Sequence, residues 1–383
     1  MRLLYGITYY LPHVSGLTLG LVPLVEGMLE AGHDVTVIAA RVDPAQPVEE
    51  RDGRLRLLRV PVSLWIGKGP LMLGHALRVW RETRRGDVVH LWLPQFDAGP
   101  AALVARLRGA QVVVTYVCSF TAPGVMGRIS MLAARASHLL AGLMADRVVA
   151  LSADYAAQSG FCRLFAGKIS HIPLPVRDYP AEALPRRPSA PPWRIGFVGR
   201  IAAEKNIHLL LDALPALRQR LGAPFTLELV GPEDPPVSAP QRALHARLAS
   251  CDAPELRRLG RISEAELEAF YRGIDVLVLP STDRIEAYGL VQVEAMLRGV
   301  PCVTSDRPGM REPIRLTGFG RLFRPGDAGA LAEALAEVLT GPPEALAVAP
   351  ETIHQTFDPA RIVADYATLY AGLPGAAARP SPR

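Results

Sequence analysis

Between Asp275 and Pro301 the chain reads DVLVLPSTDRIEAYGLVQVEAMLRGVP, and few folds accept such a stretch. Val276 to Leu279 is an unbroken apolar run, the pattern of a parallel strand covered on both faces. Pro280, Ser281, Thr282 and Asp283 interrupt it with turn-forming residues. From about Gly289 the spacing turns helical, with Leu290, Val293 and Leu297 on one face and Gly299 and Pro301 as the stop. A strand feeding a helix through such a loop aims the helix N-terminus, with its free N–H groups and partial positive charge, at the mouth of a sheet. Glu286 and Glu294, with seven residues between them, bracket that mouth.

A phosphate flanked by hydroxyl-rich groups suits this geometry. The backbone N–H groups of Gly289 and Leu290 are placed to hold it, and Gly289 permits close approach. A carboxylate accepting two hydrogen bonds matches a vicinal diol such as a ribose or a sugar edge. The alternative is a solvated Glu294 and a Glu286 that merely complements the helix dipole.

Length favours two domains, since 383 residues exceed what one ordinary core organises. Four cysteines (Cys118, Cys162, Cys251, Cys302) lack CxxC or zinc spacing, which points to a reducing compartment and no structural metal. No apolar run reaches the roughly 18 to 20 residues of a membrane span. The N-terminal MRLLYGITYY reads as a strand rather than a signal peptide. A cytoplasmic protein is the expectation. Residues 1–183 carry 19 basic against 14 acidic side chains and the rest 23 against 23, so the excess positive charge sits in the first half. It fits an anionic substrate or a peripheral contact with a membrane face. It lacks the motifs and patterning of nucleic-acid binding.

Taken in order, Leu3–Thr8 reads as a strand, Thr18–Ala31 as a helix and His33–Ala40 as a second strand, a βαβ opening. Residues 41–70 read as a variable, loop-rich piece, followed by a helix over 71–85 whose basic end either complements the helix dipole or contacts an anionic acceptor or membrane. Strands are expected at 87–93, 111–117, 147–152 and 168–173, with a helix over 121–142 read as core-facing, a membrane-surface role being the alternative. After a Pro- and Arg-rich linker, strands at 193–198 and 225–230 open a second α/β unit. Arg200 and Lys205 follow the first of these, at a strand's C-terminal mouth. Lys205 is one of only three lysines among 42 basic residues, and a compact, mobile ammonium suits a diphosphate. Pairing with Glu204 on the surface is the plainer alternative.

The EAYGLVQVE segment resembles the signature of retaining glycosyltransferases of glycosyltransferase family 4, in which two glutamates separated by seven residues flank a glycine. The likeness extends over nearly the whole chain. It implies the GT-B fold, an α/β architecture of two Rossmann-like doubly wound domains facing across a cleft: 1–183 on the acceptor side, a linker over 184–192, and 193–357 binding the donor. A helix over 358–373 would return to the first domain, with a disordered tail over 374–383. Glu286 would contact the donor sugar and Glu294 the ribose. VGRIAAEKN resembles the family's phosphate-binding element, so Arg200 and Lys205 join Glu286 as catalytic candidates. Gly16, Gly199, Gly231, Ile262, Ala287, Tyr288, Gly289 and Leu290 are the remaining donor-side candidates. Two departures stand out. Ser15-Gly16 replaces a glycine pair, and VVTYVCS places Val117 and Ser119 where relatives read VVTYHCD.

The resemblance implies transfer of a hexosyl or pentosyl group from a nucleotide-diphosphate sugar to a lipid-linked, saccharide or other hydroxyl acceptor, with retention and without metal or cofactor, in glycolipid or cell-surface polysaccharide synthesis. His13, His90 and Ser119 are the candidates to replace the contact that Val117 cannot make. There is no Asp-x-Asp, Walker loop, G-x-G-x-x-G or G-x-S-x-G motif, which removes the metal-clamped transferase, NTPase, dehydrogenase and serine-hydrolase readings. An inactive donor-binding partner protein and another GT-B enzyme, an epimerase or phosphorylase, remain as alternatives.

Overall fold

The computed structural model describes residues 1–66, 69–119, 124–177, 190–283, 285–342, 346 and 348–374. Most of the expected linker and all but one residue of the expected tail therefore lie outside the described residues. The chain divides into two compact units, Met1–Arg177 with Pro359–Arg383, and Asp178–Asp358.

In unit 1 the strands are β1 (Arg2–Gly6), β2 (Asp34–Arg41), β3 (Glu49–Asp52), β4 (Leu55–Pro61), β5 (Leu64–Ile66), β6 (Gly69–Leu71), β7 (Val88–Leu93), β8 (Gln111–Tyr116), β9 (Arg147–Ala150) and β10 (Ile169–His171). Eight of them form one sheet in the order β10-β9-β8-β7-β1-β2-β4-β3. It is parallel apart from β3, which runs antiparallel to β4 at the edge, while β5 and β6 make a separate hairpin. The helices are α1 (Gly16–Glu30), α2 (His75–Glu82), α3 (Ala98–Leu107), α4 (Gly124–Met144), α5 (Ala153–Gln158) and α6 (Gly160–Leu164).

Two expectations for this unit need correction. The stretch taken as loop-rich contains β4, which pairs with β2 over seven residues and buries Leu57, Leu58 and Val60. Its RLRLLRVP interleaves arginine with leucine, so the apolar run that marks a buried strand is broken. Arg59 is itself buried, its guanidinium donating to Glu50 and to the Leu11 carbonyl. In α4 the core-facing residues are Ala134, His138 and Ala141, whereas Leu132 and Leu139 face solvent. Small side chains face inward because α3 lies close: a Cβ on Gly99 would stand 2.5 Å from the Ser137 carbonyl oxygen.

Unit 2 holds β11 (Trp193–Val198), β12 (Phe225–Val230), β13 (Leu256–Gly260), β14 (Val276–Leu279), β15 (Cys302–Ser305) and β16 (Gly320–Phe323). All are parallel, in the order β13-β12-β11-β14-β15-β16. The helices are α7 (Ile207–Leu221), α8 (Ala239–Ala249), α9 (Glu264–Gly273), α10 (Leu290–Met296), α11 (Glu312–Thr317), α12 (Ala328–Thr340) and α13 (Pro350–Phe357). The core joins Ile195, Phe197, Leu227 and Val278 of the strands to Leu210 and Leu214 of α7 and Leu331 and Leu335 of α12. Strand order reverses between β11 and β14, and the chain leaves that point in opposite directions. In open α/β sheets the crevice at such a reversal, beyond the strand ends, is where ligands bind.

The last helix, α14 (Pro359–Ala371), belongs to unit 1. Its Tyr366 and Tyr370 are fully buried. The Tyr370 hydroxyl lies 2.7 Å from His90 Nδ1 and 3.2 Å from the Tyr5 hydroxyl, and His90 Nε2 lies 2.6 Å from Thr115 Oγ1. Burial pushes the His90 imidazole down to about 3, so it is neutral at ordinary pH. His138, buried on α4 with its Nε2 accepting from the Gln95 amide, is pushed down to about 4.

Both rings titrate near pH 6.5 in the unfolded chain, so below that pH the unfolded state binds more protons than the native state. Stability is therefore full above about pH 6.5 and falls as pH drops toward the folded values, by up to about 1.4 kcal/mol per pH unit for each ring. Urea midpoints should decline between about pH 6.5 and pH 5, before most carboxylates titrate. A flat profile over that range would mean that neither imidazole is held neutral.

Candidate active site at the strand-order reversal of unit 2

Two loops build the site, one following β11 and one following β14. The first begins at Gly199, whose φ of +151° only glycine adopts readily. Gly231, at the end of β12, has φ +137°, and a Cβ there would stand 2.0 Å from the Gly199 carbonyl oxygen. Beyond this contact the two strand ends continue as a short ladder. Ile201 N donates to the Pro232 carbonyl at 2.8 Å, and Asp234 N to the Ile201 carbonyl at 3.1 Å. The β11 loop then makes one turn of 3₁₀ helix over Ala203–Lys205. It passes through Asn206, at φ +57° the one non-glycine residue with positive φ among the described residues, and enters α7. Asparagine tolerates this left-handed conformation better than most residues.

Asn206 also ties the loops together. Its side-chain amide, buried, donates to the Pro280 carbonyl at 3.2 Å, directly after β14. Along the second loop Ser281, Ala287 and Tyr288 are buried. Gly289 sits at φ +70° as the residue preceding α10, where a Cβ would meet Gln292 Nε2 and Leu279 Cδ2, each at 2.6 Å. The first N–H groups of α10 have no intrahelical partner.

Charge converges between these loops. The Lys205 ammonium donates to Glu286 Oε2, and both side chains are largely shielded from water. The ion pair with Glu204, the plainer alternative for Lys205, goes to Arg200 instead. The Arg200 guanidinium donates to Glu204 Oε1 at 2.6 Å and, through its other terminal nitrogen, to Asp234 Oδ2. Its side chain stays 40% exposed, so it is held from two sides with a face open to solvent. Glu294 is half-buried on α10 and accepts from the Tyr271 hydroxyl at 2.8 Å. Tyr271 is itself fully buried beneath the Arg298 guanidinium, 4.7 Å from its ring centre.

Gly199, Arg200, Lys205, Gly231, Glu286 and Gly289 thus gather at the strand-order reversal. Ile262 is half-buried in an otherwise exposed turn between β13 and α9, one residue before the Ser263–Glu266 capping box. Sequence reasoning misses Asp234, Asn206 and Tyr271, and gives Glu204 to Lys205 where its partner is Arg200, four residues before it. The Asn206 signal was available, an asparagine between a lysine and a helix, whereas Asp234 and Tyr271 depend on long-range packing.

The candidates of unit 1 fare unevenly. Gly16 is the first residue of α1, N-capped by Ser15, and nothing lies within 4 Å of a Cβ built there. His13 is exposed just after β1 and stacks on Tyr9 at 4.3 Å. Val117 continues β8 and is 9% exposed. Ser119 is engaged, its amide donating to the Tyr155 hydroxyl and its Oγ lying 2.8 Å from the Tyr116 hydroxyl. His90 is no site residue. Its strand is buried along its whole length, and both ring nitrogens are used inside the core.

The model of the family "Glycosyl transferases group 1" matches residues 185–354, and that of "Glycosyl transferase 4-like domain" matches residues 15–175. A GDP-mannose-dependent alpha-mannosyltransferase of Mycolicibacterium smegmatis is 30% identical, covering 84% of this chain and 84% of that protein. The chain is a family 4 glycosyltransferase. A D-rhamnosyltransferase of Pseudomonas aeruginosa is 28% identical over 80% of this chain and 78% of its own length. Among solved structures, Anabaena HepE in complex with UDP and glucose superposes with a TM-score of 0.71 at 19% identity, covering 97% of this chain and all of that one. The fold is GT-B, with two Rossmann-like units.

The Gly199–Gly231 contact makes a sharp structural demand on this transferase. Gly231→Ala should lower unfolding free energy by about 2 kcal/mol or more, through steric conflict and an unfavourable φ. Gly16→Ala, with open space around it, should stay within about 0.5 kcal/mol of wild type. Equal losses in urea unfolding would contradict the close approach of the β11 and β12 ends.

Proposed function

We propose that this glycosyltransferase moves a hexosyl or pentosyl group from a nucleotide-diphosphate sugar to a hydroxyl acceptor, with retention at the anomeric carbon and without a metal ion or cofactor. The observation that carries this reading is the pairing of Lys205 with Glu286 across the strand-order reversal, beside an Arg200 held by Asp234 and Glu204. A diphosphate entering there meets one ammonium, one guanidinium and the N-terminal end of α10. Once Lys205 turns to the diphosphate, Glu286 is released to accept hydrogen bonds from sugar hydroxyls. Glu294, oriented by Tyr271, is assigned the ribose diol.

In the proposed reaction the bond from the anomeric carbon to the diphosphate oxygen breaks while the acceptor oxygen bonds to the same face of that carbon. The acceptor's proton passes to the departing diphosphate, so no protein nucleophile is needed. Charge grows on the diphosphate as the bond breaks, and Arg200 and Lys205 oppose it from fixed positions. We assign the acceptor to a lipid-linked or saccharide hydroxyl, in glycolipid or surface polysaccharide synthesis, and the enzyme to the cytoplasm at a membrane face. Among the described residues no helix is long and apolar enough to cross a membrane.

Lys205→Ala and Glu286→Ala should each lower turnover by roughly 10²–10³-fold while leaving the fold intact. Activity should survive EDTA. Wild-type turnover in the Glu286 variant, or a loss in EDTA that magnesium restores, would remove the mechanism.

Val117 sharpens the donor class. The family resemblance implies that Val117 lies beside the donor sugar; a valine offers neither donor nor acceptor, so a sugar hydroxyl facing it would go unpaired. We propose that the donor sugar lacks a hydroxyl there, as a deoxy sugar or a pentose does. Of the relatives above, one is named for rhamnose, a 6-deoxy sugar, and one for mannose, which keeps the C6 hydroxyl. Wild type should prefer the donor lacking the C6 hydroxyl, and Val117→His should shift kcat/KM toward the hydroxylated one. A wild-type preference for the hydroxylated donor that histidine does not change would end this assignment, and no transfer from any donor would favour an inactive donor-binding protein.

A further inference from the structure

Large apolar side chains exposed to solvent are unevenly distributed. Of the nineteen among the described residues, fifteen belong to unit 1 and four to unit 2. Seven of the fifteen lie on one helical layer, where α3 packs against both α2 and α4. On α4, Arg128, Leu132, Arg135, Leu139 and Leu143 follow one another at spacings of four, three, four and four residues, and all are exposed. Such spacing puts them in one line along the helix, about 22 Å long at 1.5 Å per residue. Leu132 is 70% exposed and Leu143 55%. The neighbouring helices extend the surface with Leu107 of α3, 68% exposed, and Leu77 and Trp80 of α2. The Arg108 guanidinium lies 5.0 Å from the Trp80 ring centre.

The charge of this layer is predominantly positive, although Arg78 and Arg106 pair with Glu82 and Asp146. Residues 73–145 contain eight arginines and three carboxylates, a difference equal to the chain's whole net charge of +5. Asp87 and Asp97 are buried, and Glu82 pairs with Arg56 and Arg78. No carboxylate of the segment is left to offset Arg128 and Arg135, which form no ion pair among the described residues. Apolar side chains ringed by guanidinium groups match a lipid surface carrying anionic headgroups, where the apolar groups enter the acyl boundary and the cations bind phosphates. They match a second copy of the chain poorly, because the same positive layer would face itself.

We propose that the face formed by α2, α3 and α4 docks this enzyme on an anionic membrane surface, with α4 lying in the headgroup plane. The proposal rests on the membrane-side reading above and names the surface that carries it. It would bring unit 1 to a lipid-borne acceptor without a spanning segment.

The test is cosedimentation of the full chain with vesicles of phosphatidylglycerol and phosphatidylcholine in equal parts, and with phosphatidylcholine alone. Wild type should bind the anionic vesicles, weakly or not at all the zwitterionic ones, and less at ~0.5 M than at ~0.1 M salt. Arg128→Glu/Arg135→Glu and Leu132→Gln/Leu139→Gln should each weaken partitioning roughly tenfold or more. Every substituted residue is exposed, and thermal unfolding in the same samples checks that each variant folds. Absence of wild-type binding, equal binding to both vesicle types, or unchanged binding by both variants would overturn the proposal. So would a wild-type dimer that the Leu132→Gln/Leu139→Gln variant abolishes. Thermal stabilisation by GDP-, UDP- and ADP-sugars, measured in parallel, separates the two ideas. If it is missing while vesicle binding holds, the transferase reading fails and the docking surface stands.

Discussion

One hydrogen bond ties together the two loops of the candidate site in unit 2, from the side-chain amide of Asn206 to the Pro280 carbonyl. Where strand order reverses, no connection crosses between the neighbouring strands, so the ends of β11 and β14 would otherwise diverge with the sheet's twist. The amide bridges that gap from a residue whose own backbone is in the left-handed region. A non-glycine residue there costs about 1 kcal/mol or more of local strain, which the buried bond and the packing of α7 offset. With the bridge in place, Lys205 on one loop and Glu286 on the other have little choice of partner. The Gly199–Gly231 approach works alongside it, fixing the β11 loop against β12 so that Arg200 emerges between Glu204 and Asp234. Chemistry and fold meet in these few residues.

Unit 1 solves a different problem, how to hold a helix contributed by the far end of the chain. Apolar burial alone would attach α14 without fixing its register, because one leucine surface slides over another at little cost. Tyr370 removes that freedom. Its hydroxyl meets both His90 and Tyr5, and His90 in turn meets Thr115, so strands β1, β7 and β8 all bear on one side chain. Each group of the network is buried and would lose a hydrogen bond if the helix moved by a residue. The neutral state of His90 is part of this arrangement, since a charged imidazole at this depth would lack a counter-ion.

Much of the fold could be read from the chain because local signals agreed. The strands around residues 195, 227, 277 and 303 are short apolar runs with turn residues at both ends, and the structure has them at those places. The segment from Val276 to Glu294 was legible down to its strand, loop and helix. Failures came where a residue's environment is set by distant partners. β4 escaped because Arg56 and Arg59 interrupt its apolar run, and only the folded structure reveals Glu82 and Glu50 beside them. His90 was placed in the site by its position in a strand, yet its tyrosine partner lies 280 residues away. The leucines of α4 follow helical spacing equally well inward or outward. The small residues Ala134 and Ala141, which let α3 approach, decided the matter and carry a weaker pattern. Asp234 is invisible as a partner of Arg200 until β11 and β12 are set side by side.

The pairing of Lys205 with Glu286 also bears on why two opposite charges serve a site that must receive an anion. An unpaired carboxylate at this place would repel the diphosphate. Paired, the two charges offset each other and hold the β11 and β14 loops together. A hydrogen bond between charged groups contributes about 1.5–3 kcal/mol, and partial burial sets a desolvation cost against it. The pair therefore adds little net stability, and opening it asks little of the incoming donor. In the proposed reaction the exchange is then nearly even: Lys205 leaves a carboxylate for a diphosphate, and Glu286 leaves an ammonium for sugar hydroxyls. Arg200 does not take part in that exchange. Anchored by two carboxylates on separate segments, it is assigned in the same proposal to the charge that develops on the leaving group. Such a site divides its cations by task, a mobile one that yields to the substrate and a fixed one that waits for the transition state.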